Sequence, residues 1–317
     1  MRYSRLDAKD YARVNMRGIW ANALNPMLPD HSIDEAGLRS NIRHWIDDLG
    51  MAGLCISSKQ GEYYSMSIEE RKRTFEIALE ECSGKAGMIA SCSDQRVDTV
   101  LELARHAQQI GVDYVVVAAP VLHFVAERCD VLMRYYEYLC DQLEIGIIPC
   151  SHPDSGYVMS PELCVRLANL PNIVAIKYAV PRPMYMALAR MAGDKLPVSS
   201  TSEAEWLDNI VELGWQLHLG STTPLLLQTA NDRRMHEYTE LAMRGQVDEA
   251  RKVYDSLEPV RSALHSTRPP GKPLAHQKYW QELLGQAGGS VRRPMLELTE
   301  EEKARTREAF DACGLKF

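Results

Sequence analysis

The chain has 317 residues, 45% hydrophobic and 25% charged, with a formal net charge of −7. This is a globular composition with enough chain to bury a large core. No basic cluster points to nucleic acid, and no apolar run approaches the ~20 residues that span a bilayer, so neither partner is expected.

The polar, charged N-terminus reads as neither a signal peptide nor a hydrophobic anchor. The eight cysteines form no C-x-x-C pair. Several lie inside apolar patterns, where Cys acts as a small hydrophobe, so a reduced, cytoplasmic protein without structural zinc or disulfides is expected. A mildly acidic surface does not exclude an anionic substrate, because local cations decide that.

In chain order, strand-like runs at 18–27, 52–58, 86–93, 114–120, 145–150, 173–180, 197–201 and 216–221 alternate with helix-like runs. The helical runs are 34–49, 67–82, 96–110, 130–143, 160–170, 184–192, 203–213 and 224–242. Asp34 or Ser32, Ser67 with Glu70, and Ser160 followed by Pro161 supply N-terminal caps. Gly50, Gly84, Gly111 and Gly214 stand where helices stop. The strands are short and apolar throughout, as in a parallel sheet covered by helices. Eight such units predict a (β/α)8 TIM barrel with a C-terminal helical appendage. An open doubly wound sheet is the alternative, but no glycine-rich nucleotide loop supports it. Residues 1–245 are expected to hold the barrel with a short N-terminal extension. Residues 246–317 are expected to pack on it as helices at 247–264, 271–284 and 299–313, the last opened by Thr299.

Lys177 closes the run Ile173-Val174-Ala175-Ile176-Lys177, where an ammonium is out of place. Such a lysine either snorkels to water, pairs with an acid, or serves as an amine nucleophile that forms a Schiff base with a carbonyl. Active sites of these barrels lie at the C-terminal ends of the strands. The sequence places Asn25, Ser58, Lys59, Gln60, Gly61, His123, Cys150, His152, Thr201, Gly220 and Ser221 there. No metal-ligand spacing is evident among them, so metal catalysis is disfavoured.

Four stretches carry a resemblance. Asn172-Ile-Val-Ala-Ile-Lys177 resembles the Schiff-base lysine motif of the class I aldolase/lyase family of N-acetylneuraminate lyase and dihydrodipicolinate synthase. Ser58-Lys59-Gln60-Gly61-Glu62 occupies the place of that family's strand 2 loop, and Gly156-Tyr-Val-Met-Ser-Pro-Glu-Leu resembles the stretch after its fifth strand. Gly288-Gly-Ser-Val-Arg292-Arg293-Pro294 resembles its C-terminal motif. The resemblance implies a TIM barrel, a lyase or aldolase acting on a pyruvate-type 2-oxo acid, no cofactor beyond the covalent Schiff base on Lys177, and a homotetramer. It implies that Ser58, Lys59, Gln60, Gly61, Thr201, Gly220 and Ser221 contact substrate.

Departures are as specific. Lys59 and Gln60 stand where the family has two hydroxyl residues. Cys150 stands where it has its proton-relaying tyrosine, with His152 and Tyr157 as other relay candidates. Val121 and Leu122 stand where the synthase has its second tyrosine. Asp154-Ser155 stands where the synthase has an arginine for the far carboxylate of its aldehyde. These changes argue against dihydrodipicolinate synthase activity. They leave a Schiff-base lyase or aldolase, a dehydratase or hydratase-aldolase using the same iminium, or an impaired carbonyl-binding homologue. Cys150 is either a packing cysteine or, near two lysines, a thiolate base. Lys59 is either a solvated loop charge or a partner for the substrate carboxylate.

Overall fold

The computed structural model describes residues 2–82, 84–122, 128–155 and 157–317. Eight strands form one sheet: β1 (Gly18–Asn22), β2 (Gly53–Ile56), β3 (Gly87–Ser91), β4 (Tyr114–Ala118), β5 (Gly146–Ser151), β6 (Ile176–Tyr178), β7 (Val198–Ser199) and β8 (Leu217–Leu219). Their order is β7-β6-β5-β4-β3-β2-β1-β8, and every ladder is parallel. Helices lie between the strands in sequence, which makes this the expected (β/α)8 barrel. At the seam between β7 and β8 the Leu219 N–H donates to Ser199 Oγ at 2.7 Å. A serine hydroxyl thus joins strands too short to pair there.

Side-chain alternation along the strands decides what faces the barrel interior. Trp20, Cys55, Ile89, Val116 and Ile148 belong to the inner apolar cluster. Their neighbours Ile19, Leu54, Met88, Val115 and Ile147 belong to the layer shared with the helices. Ile176 and Tyr178 fall in that outer layer, so Lys177 between them points inward. The Trp20 ring fills space that two glycines leave open. A Cβ at Gly53 or Gly87 would come within 2.2 Å of the indole.

The lower end of the barrel is closed by a helix absent from the predicted elements, Ala8–Asn15. Ala8, Ala12 and Met16 join the inner cluster beneath Trp20 and Tyr114. Their four-residue spacing is a helical signal inside an otherwise charged segment.

Two long predicted helices are broken. Residues 224–242 form Thr223–Leu226 and Arg234–Met243. Between them Thr229 and Asp232 pair in antiparallel fashion, and Asp232 takes a two-point grip from Arg234 (2.7 Å each). Residues 247–264 form Val247–Ser256 and Glu258–Ser266. Pro259 stands in the first turn of the second helix, where its missing N–H costs nothing but the preceding helix cannot continue through it. The caps behave as expected. Asp34 accepts from the Gly37 N–H, Ser160 from the Leu163 N–H, and Thr299 forms a reciprocal capping box with Glu302.

The helices Pro273–Leu283 and Glu300–Ala312 reach the main core through Trp280 and Phe310. A buried ion pair also ties this segment to the loop after β2. Lys278 Nζ lies 2.5 Å from Glu62 Oε1, and both side chains are out of solvent. Glu62 Oε2 accepts from the Arg292 N–H at 2.8 Å. The Arg292 guanidinium grips Glu70 with both terminal nitrogens and donates to the Ser65 carbonyl (3.0 Å). Removing one member of a buried ion pair strands the other charge, at a cost of about 3–5 kcal/mol. Glu62→Gln and Lys278→Met are each expected to lower the urea unfolding midpoint by a matching amount, and the double variant to recover much of it. Single variants that unfold with the parent would show that the pair contributes no stability.

Candidate active site

At the C-terminal ends of the strands a cavity of about 390 Å³ opens, with Lys177, Asn22, Cys150, Ser58, Gln60 and Thr201 in its wall. Lys177 is 5% exposed. Its Nζ donates to Asn22 Oδ1 at 2.9 Å and to the Gly220 carbonyl at 3.3 Å. Both acceptors are uncharged, and among the described residues no carboxylate pairs with it. Lys278, the chain's other buried lysine described here, has Glu62 as a counter-ion. Of the two, Lys177 alone is held by neutral acceptors only.

Asn22 turns inward by the same alternation as Trp20, and it does more than hold the amine. Its Nδ2 donates to Gln60 Oε1 at 2.8 Å, and Ser58 Oγ donates to the same oxygen at 3.2 Å. With that oxygen twice occupied, the Gln60 amide presents its N–H groups as donors. The loop itself is fixed from behind. Ser57 and Glu62 take positive φ values of 50° and 60°, and Asn25 Nδ2 holds the Gly61 carbonyl at 2.7 Å. Gly61 packs against the Ser57 backbone, where a Cβ would come within 3.0 Å. It shapes the loop and is not among the described residues that line the cavity.

Lys59 pairs with Asp154 and lies 3.3 Å from His152 Nε2. The His152 Nδ1 faces the Asp154 N–H at 3.1 Å and Asp154 Oδ1 at 3.4 Å. Lys59, His152 and Asp154 therefore form one cluster joining the loops after β2 and β5. The Lys59 hydrogen bond holds the Asp154 carboxyl below the usual carboxylate range. Burial first, then the Lys59 ammonium, holds His152 below the ordinary imidazole value. Both ring nitrogens face partners inside the cluster.

Cys150 is the register partner of Lys177 on the neighbouring strand and faces the cavity. Burial pushes its thiol above the ordinary value, and the opposing pull of Lys177 and Lys59 does not cancel that. The balance favours the thiol over the thiolate that the two lysines suggest from sequence.

Thr201 and Ser221 line the cavity, while Gly220 contributes its carbonyl to Lys177. Tyr157 is turned away: its hydroxyl meets Cys129 Sγ at 3.2 Å, and it is not among the described residues of the cavity wall. His123 lies outside the described residues. Sequence reasoning missed Asn22, although a polar residue two positions after Trp20 in an apolar strand was a usable signal. It also missed Tyr63, a cavity residue beneath the Arg71 guanidinium (5.1 Å), and Asp154 as the partner of Lys59.

The model of the Dihydrodipicolinate synthetase family matches residues 15–313. The chain belongs to that family. A 4-hydroxy-tetrahydrodipicolinate synthase of Bradyrhizobium diazoefficiens is 27% identical over 306 residues, covering 96% of this chain and 99% of the relative. An N-acetylneuraminate lyase of Clostridium perfringens is 28% identical over 295 residues, covering 92% and 98%. The crystal structure of N-acetylneuraminate lyase from Fusobacterium nucleatum superposes with a TM-score of 0.83 at 24% identity, covering 95% of this chain and all of that one. A monomeric dihydrodipicolinate synthase variant superposes equally well, with a TM-score of 0.83 at 21% identity and 96% and 99% coverage. The expected family and the class I aldolase-type lyase are thus the right frame. The relatives carry both names, so they do not separate a synthase from a lyase.

A thiol pushed above its ordinary value is mostly protonated at neutral pH and gains thiolate only as pH rises through the raised value. Alkylation of Cys150 by iodoacetamide, followed on its tryptic peptide, is expected to be slower than that of free cysteine at pH 7.5 and to climb steeply above pH 9. Fast, pH-independent alkylation would establish a thiolate instead.

Proposed function

We propose that the protein is a Schiff-base lyase or aldolase acting on a pyruvate-type 2-oxo acid, with Lys177 as the nucleophile. The observation that carries this reading is a buried amine without a counter-ion in the wall of a cavity at the strand ends. The amine attacks the C2 carbonyl and water leaves. The resulting iminium accepts the electron pair of the adjacent C–C bond as that bond breaks, or returns it as one forms. Dehydration of a hydroxylated 2-oxo acid would draw on the same iminium. The reaction needs no cofactor beyond this covalent adduct.

The free amide N–H groups of Gln60 are suited to receive the substrate carboxylate in the role of the family's paired hydroxyls, and Ser58, whose hydroxyl donates to Gln60 Oε1, orients that amide. Lys59, committed to Asp154, holds the two loops together rather than binding that carboxylate directly. Cys150 is the proton carrier of this reading. Its protonated thiol, one strand over from Lys177, is suited to give a proton to the enamine carbon that C–C cleavage leaves, a step after the Schiff base has formed. Dihydrodipicolinate synthase activity is disfavoured. An acidic residue replaces the arginine for the aldehyde carboxylate, and Val121 lines the cavity where the synthase has a tyrosine. The family resemblance further supports a cytoplasmic homotetramer. A single species near four times the chain mass in light scattering at micromolar concentration is the expected result, and a monomer would reject it.

Borohydride reduction in the presence of pyruvate is expected to add the reduced pyruvyl mass to the Lys177 peptide. Lys177→Arg should abolish the adduct, because a guanidinium stays protonated. Cys150→Ala should slow turnover of a hydroxylated 2-oxo acid at least tenfold while leaving the trapped adduct within a few fold, in line with the usual contribution of a proton carrier. An adduct that survives in Lys177→Arg would sink the assignment.

A further inference from the structure

The cavity does not end at Thr201 and Ser221. A second compartment of about 520 Å³ adjoins it and shares Lys59, Gln60, Tyr64, Asp154, Thr201 and Ser221 with it. Its far wall comes from the C-terminal segment, through His265, Arg268 and Gln277. The Lys177 cavity and a compartment walled by the helices beyond residue 257 therefore lie side by side, sharing Gln60, Thr201, Ser221 and the Lys59–Asp154 pair.

The charges along that space do not cancel evenly. Lys59 and Asp154 neutralise each other. Glu203 contributes no free charge, because Arg261 grips both of its oxygens (2.8 and 2.9 Å) and the Tyr238 hydroxyl donates to it at 2.6 Å. Burial, followed by the field of Arg268, holds His265 below the ordinary imidazole value, so it adds little positive charge at neutral pH. Arg268 remains. Among the described residues its guanidinium forms no ion pair, and its side chain borders the compartment. The other walls offer neutral donors and acceptors from Ser202, Thr223 and Gln277. Ala204, Pro273, Leu274 and Met295 make the rest of the lining apolar, so the exposed Arg268 guanidinium is the one cation without an ion pair there among the described residues, and it can receive a carboxylate or phosphate.

We propose that the substrate is a 2-oxo acid carrying a second anionic group several bonds from its carbonyl, and that Arg268 receives that group in this second compartment. The inference rests on the Lys177 reading above and specifies the substrate class for the same site. It accounts for the acidic Asp154 at the strand 5 loop, since recognition of the far anion has moved to the opposite wall.

The test is borohydride trapping on Lys177 with three probes: 2-oxoadipate, its ω-phosphonate counterpart, and the uncharged 2-oxohexanoate. Each is expressed relative to the same protein's trapping of pyruvate. In the parent, at least one anionic probe should be captured at roughly tenfold lower concentration than 2-oxohexanoate, as expected for a charge-assisted hydrogen bond. The preferred probe identifies the group as carboxylate or phosphate. Arg268→Gln should erase that advantage, Arg268→Lys should keep part of it, and Gln277→Glu should reduce it by adding a like charge. Equal capture of charged and uncharged probes by the parent, or an advantage that survives Arg268→Gln, would overturn the proposal. Absence of any pyruvate adduct in the parent would instead overturn the Lys177 reading, and this inference with it.

Discussion

The site is organised around one constraint: an amine buried inside a parallel barrel must be satisfied without a carboxylate. Strand alternation leaves Lys177 no choice of direction, because Ile176 and Tyr178 belong to the outer layer. A carboxylate beside it would lock the ammonium in an ion pair. The chain uses an amide oxygen and a backbone carbonyl instead. That choice propagates. Asn22 must present its oxygen to Lys177, so its nitrogen must find an acceptor, and it finds Gln60. The position of Gln60 then depends on the loop after β2, whose shape depends on Glu62.

This chain of dependence explains why residues far apart in sequence act together. Glu62 is held by Lys278 and by the Arg292 backbone, and the Arg292 side chain grips Glu70 at the start of the helix after that loop. The C-terminal segment is thus part of the apparatus that sets the loop. Buried ion pairs add little net stability relative to apolar packing, but they penalise any arrangement that separates the partners. The Lys278–Glu62 pair fits that role here, since it fixes one loop geometry against one helix.

Much of this was legible in the sequence, and what was not has identifiable reasons. The barrel followed from eight short apolar runs punctuated by caps such as Ser160-Pro161 and Thr299. Lys177 stood out because its cost in an apolar strand is local and large. Strand ends read less well. The seventh run, 197–201, spans five residues, yet only Val198 and Ser199 form β7, and the seam beyond it is finished by a side chain. The helix at 247–264 read as continuous because its periodicity survives Pro259. The partners of Lys59 were invisible for a deeper reason. Asp154 lies 95 residues away, and only the closure of the barrel brings the loops after β2 and β5 together.

Cys150 is best understood together with the cluster beside it. A phenol in that place would carry its oxygen farther from the strand than a thiol does, into the space that the Lys59–His152–Asp154 cluster borders. The shorter side chain leaves the cavity wider beside Lys177, and the cluster draws the loops after β2 and β5 together across its mouth. Asp154 neutralises Lys59 locally, while Lys177 keeps only neutral acceptors. Arg268, which forms no ion pair among the described residues, borders the adjoining compartment. Among the described residues, a ligand held at Lys177 would therefore meet its next unpaired cation in the wall supplied by the C-terminal helices.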